Sequence, residues 1–361
     1  MKPYRKYKVI RKVEENSLVV SLYLAPIDDR PLTLFMPGQH LMFKLHIPGQ
    51  PVPVFRYYSF SDIYSPEYYR VSIKKESAPL NDPTLANGLA SSYLYDCVKE
   101  GDILEAKGPS GDFYLNPGDN KPVVLIAGGI GITPLLSMVK SIAKINPDKM
   151  VYFFYGVNGS GEHSFQTEIQ ELRKGYDNLT ITTFYNKISL GDVQGLHYDH
   201  EGYINIKTIL QITQDIHLDY YICGPGVMMN YVTGELEALG VRKDNIHTES
   251  FNNRSYQNLQ EETLESLTNE ESLKNDTVFS IEFLRSGKKI QWDDRYRSIL
   301  EFAEGNDIEI SSGCLFGDCG TCLTEVREGN VHYLHKTLAS IDKGKCLPCS
   351  CIPTSNVVLN V

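Results

Sequence analysis

Cys314-Leu315-Phe316-Gly317-Asp318-Cys319-Gly320-Thr321-Cys322 sets three cysteines at C-x4-C-x2-C, with glycines between them. Cys349 follows in Cys349-Ser350-Cys351-Ile352-Pro353. This is the plant-type spacing for a [2Fe–2S] cluster held by four thiolates. One short loop wraps the cluster and turns three sulfurs inward, and glycines let the chain pass close to the inorganic core without a Cβ clash. The fourth thiolate comes from a distant segment and ties the loop to the fold. Cys314, Cys319, Cys322 and Cys349 are therefore the candidate metal ligands. Cys346 and Cys351 are near neighbours, so the fourth ligand stays open between Cys349 and Cys351, and the interval before Pro353 favours Cys349. Four thiolates also suit structural zinc. Zinc sites pair two C-x2-C knuckles, whereas here one three-cysteine loop is joined by one remote ligand.

The 361 residues are enough for two or three domains. A hydrophobic share of 42% is that of a globular chain, and the net charge of −10 argues against nucleic acid or an anionic membrane face as partner. Six of the eight cysteines fall between Cys314 and Cys351. That clustering reads as reduced ligands in the cytoplasm and not as a disulfide framework. The basic N-terminus has no apolar run after it, and no stretch reaches membrane-spanning length.

Residues 1–117 read as short strands broken by Pro and Gly, the pattern of a small antiparallel β-barrel. It contains Arg56-Tyr57-Tyr58-Ser59. An arginine fork neutralises a phosphate. Tyr58 can lay its ring on a flat isoalloxazine face, and the Ser59 hydroxyl can donate toward flavin N5. The backbone of Ser72-Ile73-Lys74, inside an otherwise ordinary barrel strand, can face the same ligand. Gly88 to Ser91 opens a helix-like stretch of the kind that receives a pyrophosphate at its N-terminus. The same stretch also fits a plain N-cap at Asn87 or Ser91.

The chain then changes character. Pro122 to Ala127 is a continuous apolar run, as expected of a buried parallel strand. It ends in Gly128-Gly129-Ile130-Gly131-Ile132-Thr133-Pro134, and helical spacing follows. Further strands end at Gly156, Tyr185 and Cys223-Gly224-Pro225, with a helix over 227–239. Strands alternating with helices predict a doubly wound parallel sheet over 118–252, with its ligand crevice at the carboxyl ends of the strands. The glycine turn is not the G-x-G-x-x-G fingerprint. Residues 253–276 are polar and acidic and read as a linker. Residues 277–361 order strands, a helix near 298–304, the cysteine loop and a closing strand as in an α+β β-grasp domain.

With these stretches in view, residues 1–252 resemble the ferredoxin–NADP reductase superfamily, most closely the reductase part of flavohaemoglobins. The resemblance rests on Arg56 to Ser59, Gly88-x-x-Ser91-x-x-Leu94, Gly128 to Pro134, Cys223-Gly224-Pro225 and Glu249-Ser250-Phe251. The last segment, with Cys319-Gly320-Thr321-Cys322-Leu323-Thr324, resembles the plant-type ferredoxins of oxygenase reductases. The order flavin, nicotinamide, ferredoxin is similar to that of phthalate dioxygenase reductase and the phenylacetyl-CoA epoxidase reductase.

The resemblance implies hydride transfer from NADH or NADPH to a flavin, then single electrons through the cluster to a protein acceptor. It places Thr133 and Cys223 by the nicotinamide and Glu249 by the flavin. Arg56, Tyr57, Tyr58, Ser59, Ser72, Ile73, Lys74, Gly88, Ser91 and Phe251 fall to the flavin, and Gly129, Gly131, Thr133, Pro134, Cys223, Gly224 and Pro225 to the pyridine nucleotide. FAD is favoured over FMN by the Gly88–Ser91 segment and Phe251. Asn158, where relatives often carry Arg, favours NADH. His40 stands where relatives often carry Tyr.

The acceptor implied is an oxygenase or hydroxylase component. A hybrid-cluster protein, a desaturase or a cytochrome P450 are the alternatives. Asp318, Glu325 and Glu328 are candidate docking charges for a basic partner. A dihydroorotate dehydrogenase electron-transfer subunit shares the cofactors, but its fourth cysteine lies much closer than Cys349 does. A zinc-stabilised binding module is the non-enzymatic reading.

Overall fold

The structure, a computed structural model, describes residues 4–76, 88–251, 279–312, 317, 320–335, 337 and 339–361. The linker expected over 253–276, and Asn87, Cys314, Asp318 and Cys319, lie outside the described residues. The chain divides into two compact units, one built on residues 2–45 and 56–251, the other on the C-terminal residues.

The first unit begins with β1 (Arg5–Asn16), β2 (Val19–Pro26), β3 (His40–Leu45), β4 (Val54–Ser59), β5 (Tyr69–Lys74) and β6 (Ile103–Ser110). They form one sheet in the order β4-β3-β6-β1-β2-β5. An antiparallel bridge between Phe60 and Val71 joins its two edges and closes the barrel. Val20, Leu22, Leu24, Phe43, Val71 and Ile73 are buried, so the β-branched and aromatic residues that predicted strands also fill the interior. Between β5 and β6 lies the short α1 (Leu89–Ser92), which widens into a π-turn over Tyr93–Cys97. The helical stretch expected from Gly88 is thus present, Leu89–Ser92 running directly into Tyr93–Cys97. Gly88 itself is the N-cap, without a side-chain cap. Ser91 is no cap either: its hydroxyl donates to the Gly88 carbonyl and accepts from the Glu76 N–H.

The parallel sheet follows: β7 (Val123–Gly128), α2 (Ile132–Ile145), β8 (Val151–Val157), α3 (Gln166–Gly175), β9 (Leu179–Tyr185), β10 (His200–Glu201), α4 (Ile206–Thr213), β11 (Asp219–Cys223), α5 (Gly226–Ala238) and β12 (Ile246–Glu249). Its order is β10-β9-β8-β7-β11-β12. The apolar run of β7 feeds two layers. Val123, Leu125 and Ala127 pack with Leu135, Val139 and Ile142 of α2, while Val124 and Ile126 pack with Ile209 of α4 and Val232 and Leu236 of α5. Burial on both faces is what a continuous apolar strand requires. The chain runs outward from β7 through β8, β9 and β10, then returns to the other side of β7 with β11. That reversal opens a crevice between the carboxyl ends of β7 and β11.

The C-terminal unit has β13 (Ser280–Phe283), β14 (Lys288–Gln291), α6 (Ile299–Gly305), β15 (Thr324–Glu328), β16 (Val331–Tyr333), β17 (Lys345–Cys346), β18 (Cys351–Pro353) and β19 (Val357–Leu359). A mixed sheet runs β14-β13-β19-β15-β17, with β16 paired to β18. β13 and β19 are parallel and their other pairings antiparallel, the β-grasp arrangement. Ser298 caps α6 by accepting from the Glu301 N–H at 3.2 Å. Ile299, Phe302 and Ala303 of α6 pack against Ile281, Phe283, Val357 and Leu359.

Candidate functional site

The carboxyl ends of β7 and β11 meet through backbone. A Cβ placed on Gly131 would lie 2.3 Å from the Cys223 carbonyl oxygen, and one on Gly224 would lie 2.9 Å from Gly128 N. Only glycines allow the two turns to approach so closely. Gly129 differs: its φ is +54° and its would-be Cβ meets nothing within 4 Å, so its backbone lies open. Thr133, buried at the start of α2, donates from Oγ1 to the Ile130 carbonyl at 3.1 Å. Pro225 is the N-cap of α5.

Cys223 pairs in register with Glu249 across β11 and β12. The Cys223 thiol is fully buried, and burial, then the Glu249 charge, pushes its pKa well above the ordinary thiol range. It rests as a neutral thiol. Glu249 also faces the barrel. Ser59 Oγ donates to Glu249 Oε2 at 3.3 Å, and His40 Nδ1 lies 3.7 Å from Glu249 Oε1. Ser59, Cys223 and Glu249, distant in sequence, therefore share one locus at the Thr133 crevice.

His40 sits edge-on to Tyr57 with centroids 4.6 Å apart, and its buried Nε2 has no hydrogen-bond partner among the described residues. A Cβ on Gly111 would fall 2.8 Å from this ring. The sequence marks His40 only as a departure from Tyr.

Other expected flavin contacts have prior engagements. Ser72 Oγ lies 2.7 Å from both Ser21 Oγ and Ser61 Oγ on the face of the barrel wall opposite Val71 and Ile73, and Ile73 is fully buried, so only their backbone can face a ligand. Lys74 Nζ donates to Glu162 Oε2 at 3.1 Å. Arg56, Tyr57 and Tyr58 are half-buried, with the Tyr58 ring edge-on to Phe43 at 5.6 Å. Phe251 is about one-third exposed. The helical run Leu89–Ser92 and Tyr93–Cys97 begins at Gly88, so its first N–H groups stand where the sequence expects a helix start.

In the C-terminal unit, Cys322 and Cys349 are buried with sulfurs 3.1 Å apart, and Cys349 Sγ lies 3.3 Å from Ser350 Oγ. Gly317 (φ +74°) and Gly320 (φ +72°) both occupy the left-handed region. A Cβ on Gly317 would lie 2.7 Å from Ser350 Oγ, so the cysteine loop docks on the segment that carries Cys349. Cys346 and Cys351 are fully buried in the hydrophobic core. The hydrogen bond with Cys346, then burial, holds the Cys351 thiol far above its usual range. Two buried, adjacent soft donors beside a glycine-built loop fit a thiolate-bound cluster. Glu325 is already occupied by Asn360 Nδ2 at 2.8 Å and Arg327 Nη1 at 3.0 Å, which weakens it as a docking charge.

Comparison with known proteins matches these parts in the same order. The oxidoreductase FAD-binding domain model matches residues 8–114, the oxidoreductase NAD-binding domain model residues 125–234, and the 2Fe-2S iron-sulfur cluster binding domain model residues 281–354. The flavohemoprotein of Bacillus cereus is 35% identical over 250 residues, covering 69% of this chain and 61% of that protein. That of Rhodopirellula baltica is 37% identical over 248 residues, covering 68% and 60%. The chain thus spans about three-fifths of the length of these relatives. The FAD/NAD-binding domain of nitric oxide dioxygenase from Vibrio cholerae is 30% identical, with a TM-score of 0.59, covering 68% of this chain and 98% of that one. Phthalate dioxygenase reductase covers 99% of this chain and 98% of its own at a TM-score of 0.66 and 22% identity, a likeness of fold.

The glycine crevice facing a flavin barrel defines an FAD- and NAD-binding oxidoreductase. The chain belongs to the ferredoxin–NADP reductase superfamily and carries a C-terminal 2Fe–2S ferredoxin domain.

Proposed function

We propose that this protein is an NAD(P)H-dependent reductase that passes electrons from the pyridine nucleotide through FAD and a [2Fe–2S] cluster to a protein acceptor, an oxygenase component. The observation that carries the reading is the meeting of Ser59, Glu249 and Cys223 at the open end of the parallel sheet. A flavin held there would supply the conversion between a two-electron donor, NAD(P)H, and a one-electron carrier, the cluster.

The chain's own residues supply position. The open Gly129 backbone leaves room for a phosphate. Thr133 and the neutral Cys223 thiol line the crevice without adding charge. Glu249 orients the Ser59 hydroxyl, and Arg56 offers a fork for a flavin phosphate. In the ferredoxin domain, the closeness of Cys322 and Cys349 supports Cys349 as fourth ligand, alongside Cys314 and Cys319. Full burial of Cys346 and Cys351 in the hydrophobic core supports a packing role for Cys351. Asn158, directly after β8, donates to Glu162 Oε1 at 2.8 Å, and an amide in place of a basic side chain there favours NADH over a 2′-phosphorylated nucleotide. No helix among the described residues is long and apolar enough to cross a membrane. A cytoplasmic location remains part of the proposal.

The test is Cys322→Ser. It should abolish reduction of a one-electron protein acceptor while flavin reduction by NADH continues. Loss of both would break the modular reading.

A further inference from the structure

The first unit holds a second charged cluster, away from Glu249. Arg70 of β5 is 3% exposed. Its Nη2 pairs with Glu15 Oε1 at 2.8 Å, its Nη1 with Glu168 Oε1 at 2.8 Å, and its Nε donates to Ser21 Oγ at 3.1 Å. The guanidinium lies over the rings of Tyr23 and Phe165, with centroids at 5.5 and 5.0 Å. Lys140 of α2 pairs with Glu168 Oε2 at 2.8 Å and with Asp62 Oδ1, and Asp62 Oδ2 lies 3.8 Å from Arg70 Nη1. Ser137 Oγ, also on α2, donates to the Asp62 carbonyl at 2.8 Å.

These contacts cross from barrel to sheet. Arg70, Glu15 and Asp62 belong to the barrel side, and Lys140, Ser137 and Glu168 to the nucleotide side. Their positions connect them to the crevice. Asp62 lies three residues beyond Ser59. Ser137 and Lys140 follow Thr133 by four and seven residues, so all three share one face of α2. The helix that carries Thr133 is therefore pinned to the segment that carries Ser59.

A buried ion cluster adds little net stability over apolar packing of the same shape. Its best-attested use is to fix one arrangement among several. Apolar contact between two layers tolerates sliding, but a bidentate fork shared among carboxylates from both sides does not.

We propose that Lys140 and Arg70 are positioning residues for hydride transfer. In this account they form a charge clamp that holds the nicotinamide-binding sheet in register with the flavin barrel. The proposal rests on the reductase reading above and adds a role for residues outside the Thr133 crevice.

The test compares the parent chain with Lys140→Met, Glu168→Gln and Lys140→Arg, avoiding Arg70, whose removal would strand buried carboxylates. Anaerobic stopped-flow at saturating NADH should show flavin reduction slowed about 10- to 100-fold in Lys140→Met and Glu168→Gln, as expected for misplacement on the ångström scale. Half-saturating NADH should shift less than about threefold, because the clamp touches no ligand. Lys140→Arg should restore most of the rate. In the ligand-free full chain, amide hydrogen exchange of residues 60–64 and 134–141 should rise in the two slow variants while that of β7 and β8 holds.

A flavin-bound Lys140→Met variant reduced within twofold of the parent rate, or exchange unchanged in those segments, overturns the clamp. If NADH fails to reduce the parent itself, the reductase reading falls, and hydrogen exchange still decides the clamp.

Discussion

Replacing Gly131 by alanine tests whether the two glycine turns define the reacting crevice. Gly131 has φ −61° and ψ −6°, which alanine adopts freely, so any effect is steric. The added methyl would lie 2.3 Å from the Cys223 oxygen, 2.5 Å from its carbonyl carbon and 2.7 Å from Gly224 N. These are backbone atoms that cannot rotate away. Ordinary contact begins near 3.4 Å, so the Thr133 turn and the Cys223 turn must part by about 1 Å. Overpacking of this size costs about 1–3 kcal/mol, a loss the fold survives. A 1 Å misplacement of positioned groups costs about 100-fold in rate. Anaerobic stopped-flow at the flavin absorbance, with NADH varied, reads that rate directly. Gly234→Ala is the control. Its methyl meets nothing within 4 Å on α5 and displaces nothing at Cys223. Its rate should stay within about twofold of the parent. A folded, flavin-bound Gly131→Ala chain within threefold of the parent would refute the crevice.

Three further outcomes are expected. Cys349→Ser should lose the visible cluster spectrum, whereas Cys351→Ala should keep it and lose only packing stability, about 1–2 kcal/mol in urea melts. Ser59→Ala removes the donor to Glu249 and should slow flavin reduction roughly 10- to 100-fold, with NADH saturation little changed; an unaltered rate would leave Ser59 a barrel residue. His163 should contribute to the loss of stability in acid. Burial, then Arg173 and His197, lowers its pKa to about 4 from 6.5. The unfolded chain takes the proton more readily, so stability is complete above pH 6.5 and declines as pH falls toward 4, by about 3 kcal/mol in all. Between pH 7 and pH 5 the parent should lose about 2 kcal/mol from this group. His163→Gln should flatten that slope, and an equal slope in both proteins would count against the assignment.

Much of this architecture is legible because its signals are local. The run Val123 to Ala127 can be buried on both faces only as a central strand, and it is one. The helix expected over 227–239 spans Gly226–Ala238. Glycine turns mark Cys223 and Thr133 because close approach needs the missing Cβ. The stretch after Gly88 begins a helix where its Gly and Ser residues mark one, but the widening into a π-turn beyond Ser92 is not written in that pattern; only Ala90 and Leu94 are buried there. The Arg70 cluster is invisible in sequence. Its members come from four separate stretches, and each alone resembles a solvated charge. His40 likewise gains meaning only when β3 and β12 bring it to Glu249.

The most direct measurement is an anaerobic visible spectrum of the purified chain during stepwise addition of NADH. The account predicts flavin bands with a broad iron–sulfur shoulder. Both should bleach as about 1.5 equivalents of NADH are consumed, two electrons for the flavin and one for the cluster. A colourless chain holding zinc would contradict it.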